Sequence, residues 1–187
     1  MKKAAIILSI IALIAVSCGQ AKKRETKIIA ENNAQSINAQ QYQGIYTFGN
    51  IESKNSETRQ GEVYIYPKAD STFLFYLFIC KGAPSYNMGA LDGKIIISNG
   101  QAIFKERSDY EEADCVLKFE FKENALTVTE DDVDCGCGFG GGVYVNDTFQ
   151  RTSSEIPKYY TNMENDTIYF SELKEEDSTI TDKELVE

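Results

Sequence analysis

Histidine is absent from the 187 residues of this chain, and it is the side chain that most often serves as a general base, metal ligand or triad member. Lys and Arg number only 19 against 29 Asp and Glu, whereas a phosphate-facing surface needs clustered positive charge. The N-terminal apolar run, Ala4–Ser17, falls short of the ~20 residues that a membrane-spanning helix requires. We therefore predict no catalytic residue, cofactor, metal site or nucleic-acid partner, and a permanent membrane span is disfavoured.

The N-terminus has the order of a secretory signal peptide. Lys2 and Lys3 precede the uncharged run, which leads through small or aliphatic residues into Cys18. The segment Leu13–Cys18 resembles the lipobox of bacterial lipoproteins, which implies cleavage before Cys18 and a diacylglyceryl group on its thiol. Plain secretion, with Cys18 as an ordinary cysteine, is the alternative. Since Gly19 stands where a retention signal would have Asp, the resemblance implies an outer-membrane lipoprotein of the cell envelope, and we expect it to face the periplasm.

The chain divides into four parts by composition. Residues 1–17 are the predicted signal peptide, and their loss takes the formal net charge from −10 to −12, because Lys2 and Lys3 leave with them. Residues 18–41 are polar and form a predicted flexible tether after the lipidated cysteine. Residues 42–152 are rich in aromatic and β-branched side chains and form a predicted β domain. Residues 153–187 form a predicted acidic extension, with a possible hairpin at 158–171.

The β domain is predicted to be all-β, an antiparallel meander of about eight strands that closes into a small barrel or packs as a sandwich. Runs that alternate apolar and polar residues recur every 10–12 residues, with turn signals between them. Asn99-Gly100 is the strongest hairpin signal. The unbroken apolar run Thr72–Cys80 predicts a strand that is buried on both faces, and Pro67 is expected to end the strand before it.

Four cysteines remain when Cys18 is assigned to lipid, and an exported chain usually pairs its cysteines. A zinc site formed by four thiolates is the competing interpretation, but the spacing does not match paired Cys-x-x-Cys knuckles. Two disulfides are therefore predicted, with three possible connectivities that the residues alone leave open. The four cysteines are Cys80, Cys115, Cys135 and Cys137.

Two further motifs are given structural interpretations. Residues 136–141 have the glycine spacing of a dinucleotide-binding fingerprint, but a predicted strand follows where that fingerprint needs a helix. These glycines are interpreted as a tight corner with positive φ. The acidic run Glu130–Asp134 lacks the spacing of a calcium-binding loop, because no Glu closes it at Val143. It is interpreted as a solvated turn.

The connection Lys81–Gly89 follows the most apolar strand and is the candidate binding surface. Tyr86 and Met88 stand among small residues, and aromatic anchors on a rigid loop are the type of group that fills a partner's cleft. The alternative is that Tyr86 and Met88 fold back and plug one end of a barrel.

Residues 42–152 resemble small exported domains of Bacteroidota lipoproteins. The resemblance rests on a Cys-Gly-Phe-Gly-x-Gly-Val-Tyr corner, Cys137–Tyr144, and on a terminal strand with Thr148–Arg151. Such domains are similar in outline to the disulfide-braced β-barrel inhibitors that bacterial lipoproteins use against lysozyme. Those inhibitors insert a short Ser/Gly/Tyr loop into the enzyme, and only Pro84–Tyr86 matches it here, so the resemblance implies partner-binding roles for Ser85 and Tyr86.

The Cys137–Tyr144 corner also indicates how the cysteines pair. The strand that Cys115 opens turns at Glu123-Asn124 and returns near Cys135 and Cys137. Because Cys137 belongs to the corner, we predict Cys115–Cys137, with Cys80–Cys135 as the second bridge.

The leading functional hypothesis is a lipid-anchored envelope protein that binds a partner. A cationic cell-wall hydrolase such as lysozyme fits the charge of the chain, since an acidic surface favours a basic partner. The alternative is a lipocalin-like carrier whose barrel holds a small apolar ligand.

Overall fold

The computed structural model of the chain describes residues 39–51, 57–69, 71–107, 114–131 and 137–173. The predicted signal peptide, the lipidation site Cys18, most of the tether and Cys135 lie outside these residues. The acidic extension beyond Leu173 and part of the run Glu130–Asp134 lie outside them as well.

Eight antiparallel strands form one sheet, and a short hairpin forms a second sheet. The sheet order is β4-β3-β2-β1-β8-β7-β6-β5. Its two outer strands, β4 and β5, are consecutive in the chain, and a bridge pairs Ser98, in the connection between them, with Gln101 of β5, so the sheet nearly closes into a barrel. The predicted all-β antiparallel meander is confirmed, in its barrel form. The strands are β1 Gly44–Phe48, β2 Gln60–Ala69, β3 Thr72–Cys80, β4 Met88–Ile96, β5 Gln101–Glu106, β6 Cys115–Lys122, β7 Ala125–Glu130, β8 Asp147–Ser153, β9 Tyr159–Thr161 and β10 Thr167–Tyr169.

The inside of the barrel is filled by side chains from alternate positions of the strands. Phe75 is 1% exposed, with its ring centroid 5.1 Å from that of Phe104 and 5.0 Å from that of Phe119. Aromatic rings also pack directly on the strand backbone: a Cβ atom added at Gly89 would overlap Phe139, and one at Gly93 would overlap Phe104. Glycine is needed at both positions because the rings occupy the space of a side chain.

Strand β2 continues through Pro67, so the prediction that Pro67 ends it is wrong. The register explains why the proline is tolerated. Ile65 pairs with Gly44, the first residue of β1, so Pro67 lies beyond the end of β1 and pairs with β3 alone. A proline, which has no backbone N–H to donate, is compatible with a strand at a position where one of the neighbouring strands is absent.

The second sheet covers the outer face of β3. The hairpin β9–β10 and the following 3-10 turn, Phe170–Glu172, form a separate aromatic cluster with β2 and β3. The rings of Tyr160 and Tyr76 stack with centroids 4.0 Å apart, and Phe170 is 0% exposed. Burial raises the pKa of Tyr76 to about 12, so its hydroxyl stays protonated and donates to the Thr161 carbonyl at 3.1 Å. The predicted burial of β3 on both faces is confirmed, and the hairpin predicted at 158–171 belongs to the packed structure.

The two ends of the barrel differ, and the strand register shows which residues lie at each end. At one end, here called the entry end, the chain enters β1 at Gly44. The Arg151 guanidinium donates there to the carbonyl oxygens of Gln40, at 2.9 Å, and of Gln43, which ties residues 40–43 to β8. At the other end, here called the loop end, Phe48 pairs with Gly61, and Gln60 pairs with Cys80.

Candidate functional site

The long connections of the meander all lie at the loop end. Between seven and 16 residues join β1 to β2, β3 to β4, β5 to β6 and β7 to β8. The connections at the entry end, which join β2 to β3, β4 to β5 and β6 to β7, have only two to four residues. Connections that rigid strands hold in place are where binding residues concentrate, so the loop end is the candidate functional site.

The β3–β4 loop comprises Lys81–Asn87, and β4 begins at Met88. The loop is therefore shorter than predicted, because Met88 and Gly89 are paired with β3. Two backbone hydrogen bonds close it, Lys81 N to Asn87 O and Tyr86 N to Gly82 O, each 2.9 Å long. Its conformation includes a cis peptide bond between Ala83 and Pro84.

The apolar side chains singled out in this loop point to solvent. Tyr86 is 38% exposed and Met88 is 44% exposed, and Ser85 is also exposed. The alternative in which Tyr86 and Met88 plug the barrel is therefore wrong. Phe139 packs against Gly89 at this end instead.

The loop is braced by the glycine-rich segment that follows Cys137. The Asn87 side-chain amide donates to the Gly141 carbonyl at 2.6 Å, and Gly140 N donates to Met88 O at 3.2 Å. In this segment Gly138 and Gly142 have φ values of 66° and 73°, which agrees with the predicted corner. The segment thus holds the two residues that directly follow Tyr86.

A disulfide between Cys115 and Cys137 holds the bracing segment to the start of β6, with the two Cα atoms 4.4 Å apart. This pairing confirms the first predicted bridge, and it is incompatible with a four-thiolate zinc site. The second predicted bridge, Cys80–Cys135, is wrong, because Cys80 is a free, buried cysteine. The alternation of β3 separates Cys80 from the bridged pair: Ile79 belongs to the barrel interior, so Cys80 faces outward, whereas Cys115 and Cys137 lie in the interior cluster.

Arg59 and Tyr144 extend the candidate site in a way that the sequence interpretation missed. The Arg59 guanidinium lies 4.2 Å from the centroid of the Tyr144 ring and forms a 2.6 Å ion pair with Asp147. It also donates to the Tyr144 carbonyl oxygen. Tyr144 remains 47% exposed. We call Ser85, Tyr86, Met88 and Tyr144 the loop-end surface. The only sequence signal for this part of the site was Tyr144 itself, as the last residue of the Cys137–Tyr144 corner motif.

The described residues contain no group of three His, Cys, Asp or Glu side chains that could hold a metal ion. A groove of about 470 Å³ lies outside the barrel, between β1, β2 and residues 153–161. Within the part of the chain that the structure describes, no helix is long and apolar enough to span a bilayer.

Comparisons with protein families, with curated proteins and with solved structures find no match to this chain.

Proposed function

We propose that this chain is a lipid-anchored protein of the bacterial envelope that binds a protein partner through the loop-end surface and performs no catalysis. The observation that carries the proposal is the arrangement of the barrel. The chain enters at one end, tied by Arg151, and the long connections lie at the opposite end. A tether that extends from the entry end leaves the loop end free to meet a partner.

The anchor part of the proposal rests on the lipobox-like segment Leu13–Cys18. Diacylation of Cys18 would give strong membrane attachment, because each buried methylene contributes about 0.8 kcal/mol. We expect fractionation with the outer membrane. Palmitate labelling tests this: the unaltered chain should incorporate label and Cys18→Ala should not, while an unlabelled parent chain would contradict the anchor.

The binding part rests on a rigid base beneath an exposed anchor residue. Tyr86 lies in a loop that its own backbone bonds close and that Asn87 joins to Gly141. Ordering the loop before binding lowers the entropic cost of association. A tyrosine offers a large contact area with only two rotatable bonds, which is why it is frequent at binding hot spots.

The charge of the chain supports a basic protein as the partner. The chain carries a formal net charge of −10, and −12 if residues 1–17 are removed with Lys2 and Lys3. Such a charge accelerates encounters with a basic protein. A cationic cell-wall hydrolase such as lysozyme has this property, so inhibition of lysozyme is the activity to test first. The carrier alternative has no comparable support, since the interior that would hold a ligand is occupied by packed aromatic side chains.

The decisive variant is Tyr86→Ala. If Tyr86 is an anchor, its loss should weaken partner binding by about 2 kcal/mol, roughly a 30-fold change in Kd, with little effect on thermal stability. Tyr169→Ala is the matched control, because Tyr169 is similarly exposed but lies on β10. Lysozyme inhibition and capture of partners from an envelope extract are the two readouts. Unchanged inhibition and unchanged capture by Tyr86→Ala would reject the role of this loop.

A further inference from the structure

The groove on the outer wall of the barrel is separate from the loop-end surface. Its floor and walls come from two regions of the chain: the outward-facing residues of β1 and β2, and the segment Ser153–Thr161 that leads into the hairpin. Charged and aromatic side chains predominate among its lining residues, which include Glu62, Tyr64, Glu155, Lys158 and Tyr159.

Glu62 is the half-buried carboxylate of this groove. It accepts one hydrogen bond, from the Tyr64 hydroxyl at 3.2 Å, and forms no ion pair with any cation in the described parts of the chain. Burial raises its pKa, and the hydrogen bond from Tyr64 offsets only part of that effect. A carboxylate has about four acceptor sites, so Glu62 can accept further donors. A desolvated carboxylate with one neutral donor is unfavourable unless a charged donor completes it.

Aromatic rings stand beside this carboxylate. Tyr64 continues an aromatic row, with its ring centroid 6.0 Å from that of Tyr76. Tyr159 is exposed, and its ring centroid lies 5.8 Å from that of Tyr169. The face of a tyrosine ring attracts a cation, and the attraction increases when the cation is desolvated. A carboxylate flanked by aromatic rings is therefore suited to an ammonium or guanidinium group more than to a neutral or anionic ligand.

We propose that this groove binds a lysine or arginine side chain of a basic protein or peptide, with Glu62 as its counter-ion and the rings of Tyr64 and Tyr159 as its walls. The net charge of the chain favours such a ligand. Lys158 is an exposed lining residue that forms no ion pair with Glu62, and its charge repels an incoming cation. The site does not depend on the loop-end surface or on the proposed function.

Three short peptides test the proposal on the purified full-length chain: acetyl-Gly-Lys-Gly-amide, acetyl-Gly-Arg-Gly-amide and acetyl-Gly-norleucyl-Gly-amide. Norleucine retains the aliphatic chain of lysine and lacks its charge. Because the protein has no tryptophan and 11 tyrosines, tyrosine fluorescence reports binding. We expect the lysine or the arginine peptide to bind at least about ten-fold more tightly than the norleucine peptide.

Glu62→Gln should abolish this preference, whereas Glu123→Gln, at an exposed turn, removes the same charge elsewhere and should preserve it. Lys158→Gln should strengthen binding of the cationic peptides. Equal binding of all three peptides, unchanged binding by Glu62→Gln, or binding of a neutral chitooligosaccharide in preference to the lysine peptide would overturn the proposal. Tyr86→Ala should leave peptide binding unchanged, so failure of this site and failure of the loop-end function can be told apart.

Discussion

Replacement of both Cys115 and Cys137 by alanine should destabilise the barrel substantially. The bridge joins residues 22 positions apart, and the chain-entropy treatment of a loop of that length gives about 3 kcal/mol. For a chain of this size each kcal/mol shifts the unfolding midpoint by roughly 2–4 °C, so the midpoint should fall by roughly 6–12 °C. Thermal unfolding followed by circular dichroism measures this shift directly.

The same double variant should also weaken partner binding, because the bridge fixes the segment that braces the β3–β4 loop through Gly140 and Gly141. Cys80→Ala is the matched control, since it removes a buried thiol without opening a closed loop. An unchanged midpoint in the double variant would refute the reasoning, and so would non-reducing peptide mapping that finds Cys115 and Cys137 not linked to each other.

Three other substitutions probe separate parts of the structure. Phe170→Ala should cost about 3–5 kcal/mol in chemical denaturation, because the ring is fully buried against the outer face of the barrel, whereas the exposed Tyr169→Ala should cost much less. Glu62→Gln should raise the unfolding midpoint at pH 7 and leave it nearly unchanged at pH 4. Burial raises the pKa of Glu62 in the folded chain above its usual value of 4.5. The folded chain therefore has its full stability below pH 4.5, where Glu62 is protonated, and loses part of it as the pH rises through the raised pKa. Gly93→Ala should lower stability by more than 1 kcal/mol in the same denaturation assay, because its methyl group would overlap Phe104; an unaffected midpoint would contradict the packing described.

Local signals predicted the strands well because each depends on a few neighbouring residues. The run Thr72–Cys80 corresponds to β3 with the same bounds. Asn99 and Gly100 both have positive φ, as the two central residues of a type I′ hairpin turn require. Tyr64 and Tyr66 alternate in sequence with Val63 and Ile65, and the structure places the two tyrosines on the outer face of the barrel. Alternation of apolar and polar residues with a period of two indicates which residues share a face of a strand, and the folded sheet keeps that arrangement.

The local sequence of a strand does not indicate which other segment of the chain covers its outer face. The ring that stacks on Tyr76 belongs to Tyr160, and nothing near Tyr76 in sequence indicates that pairing. The brace between Asn87 and Gly141 spans 54 positions. The error over Cys80 has a related origin: an even number of cysteines predicts pairing, but the count does not show that Cys80 faces away from the interior cluster that holds Cys115 and Cys137.

The position of the loop end follows from the topology of the sheet together with the lengths of the connections between its strands. In an up-and-down meander, successive connections fall alternately at the two ends, so long and short connections separate if they alternate along the chain. Here they do alternate, with two to four residues at one end and seven to 16 at the other. That alternation can be counted in the sequence once the strands are known. Which end the chain enters depends on the pairing of β1 with β2 and β8, and this pairing places Tyr86 at the end of the barrel opposite the start of β1.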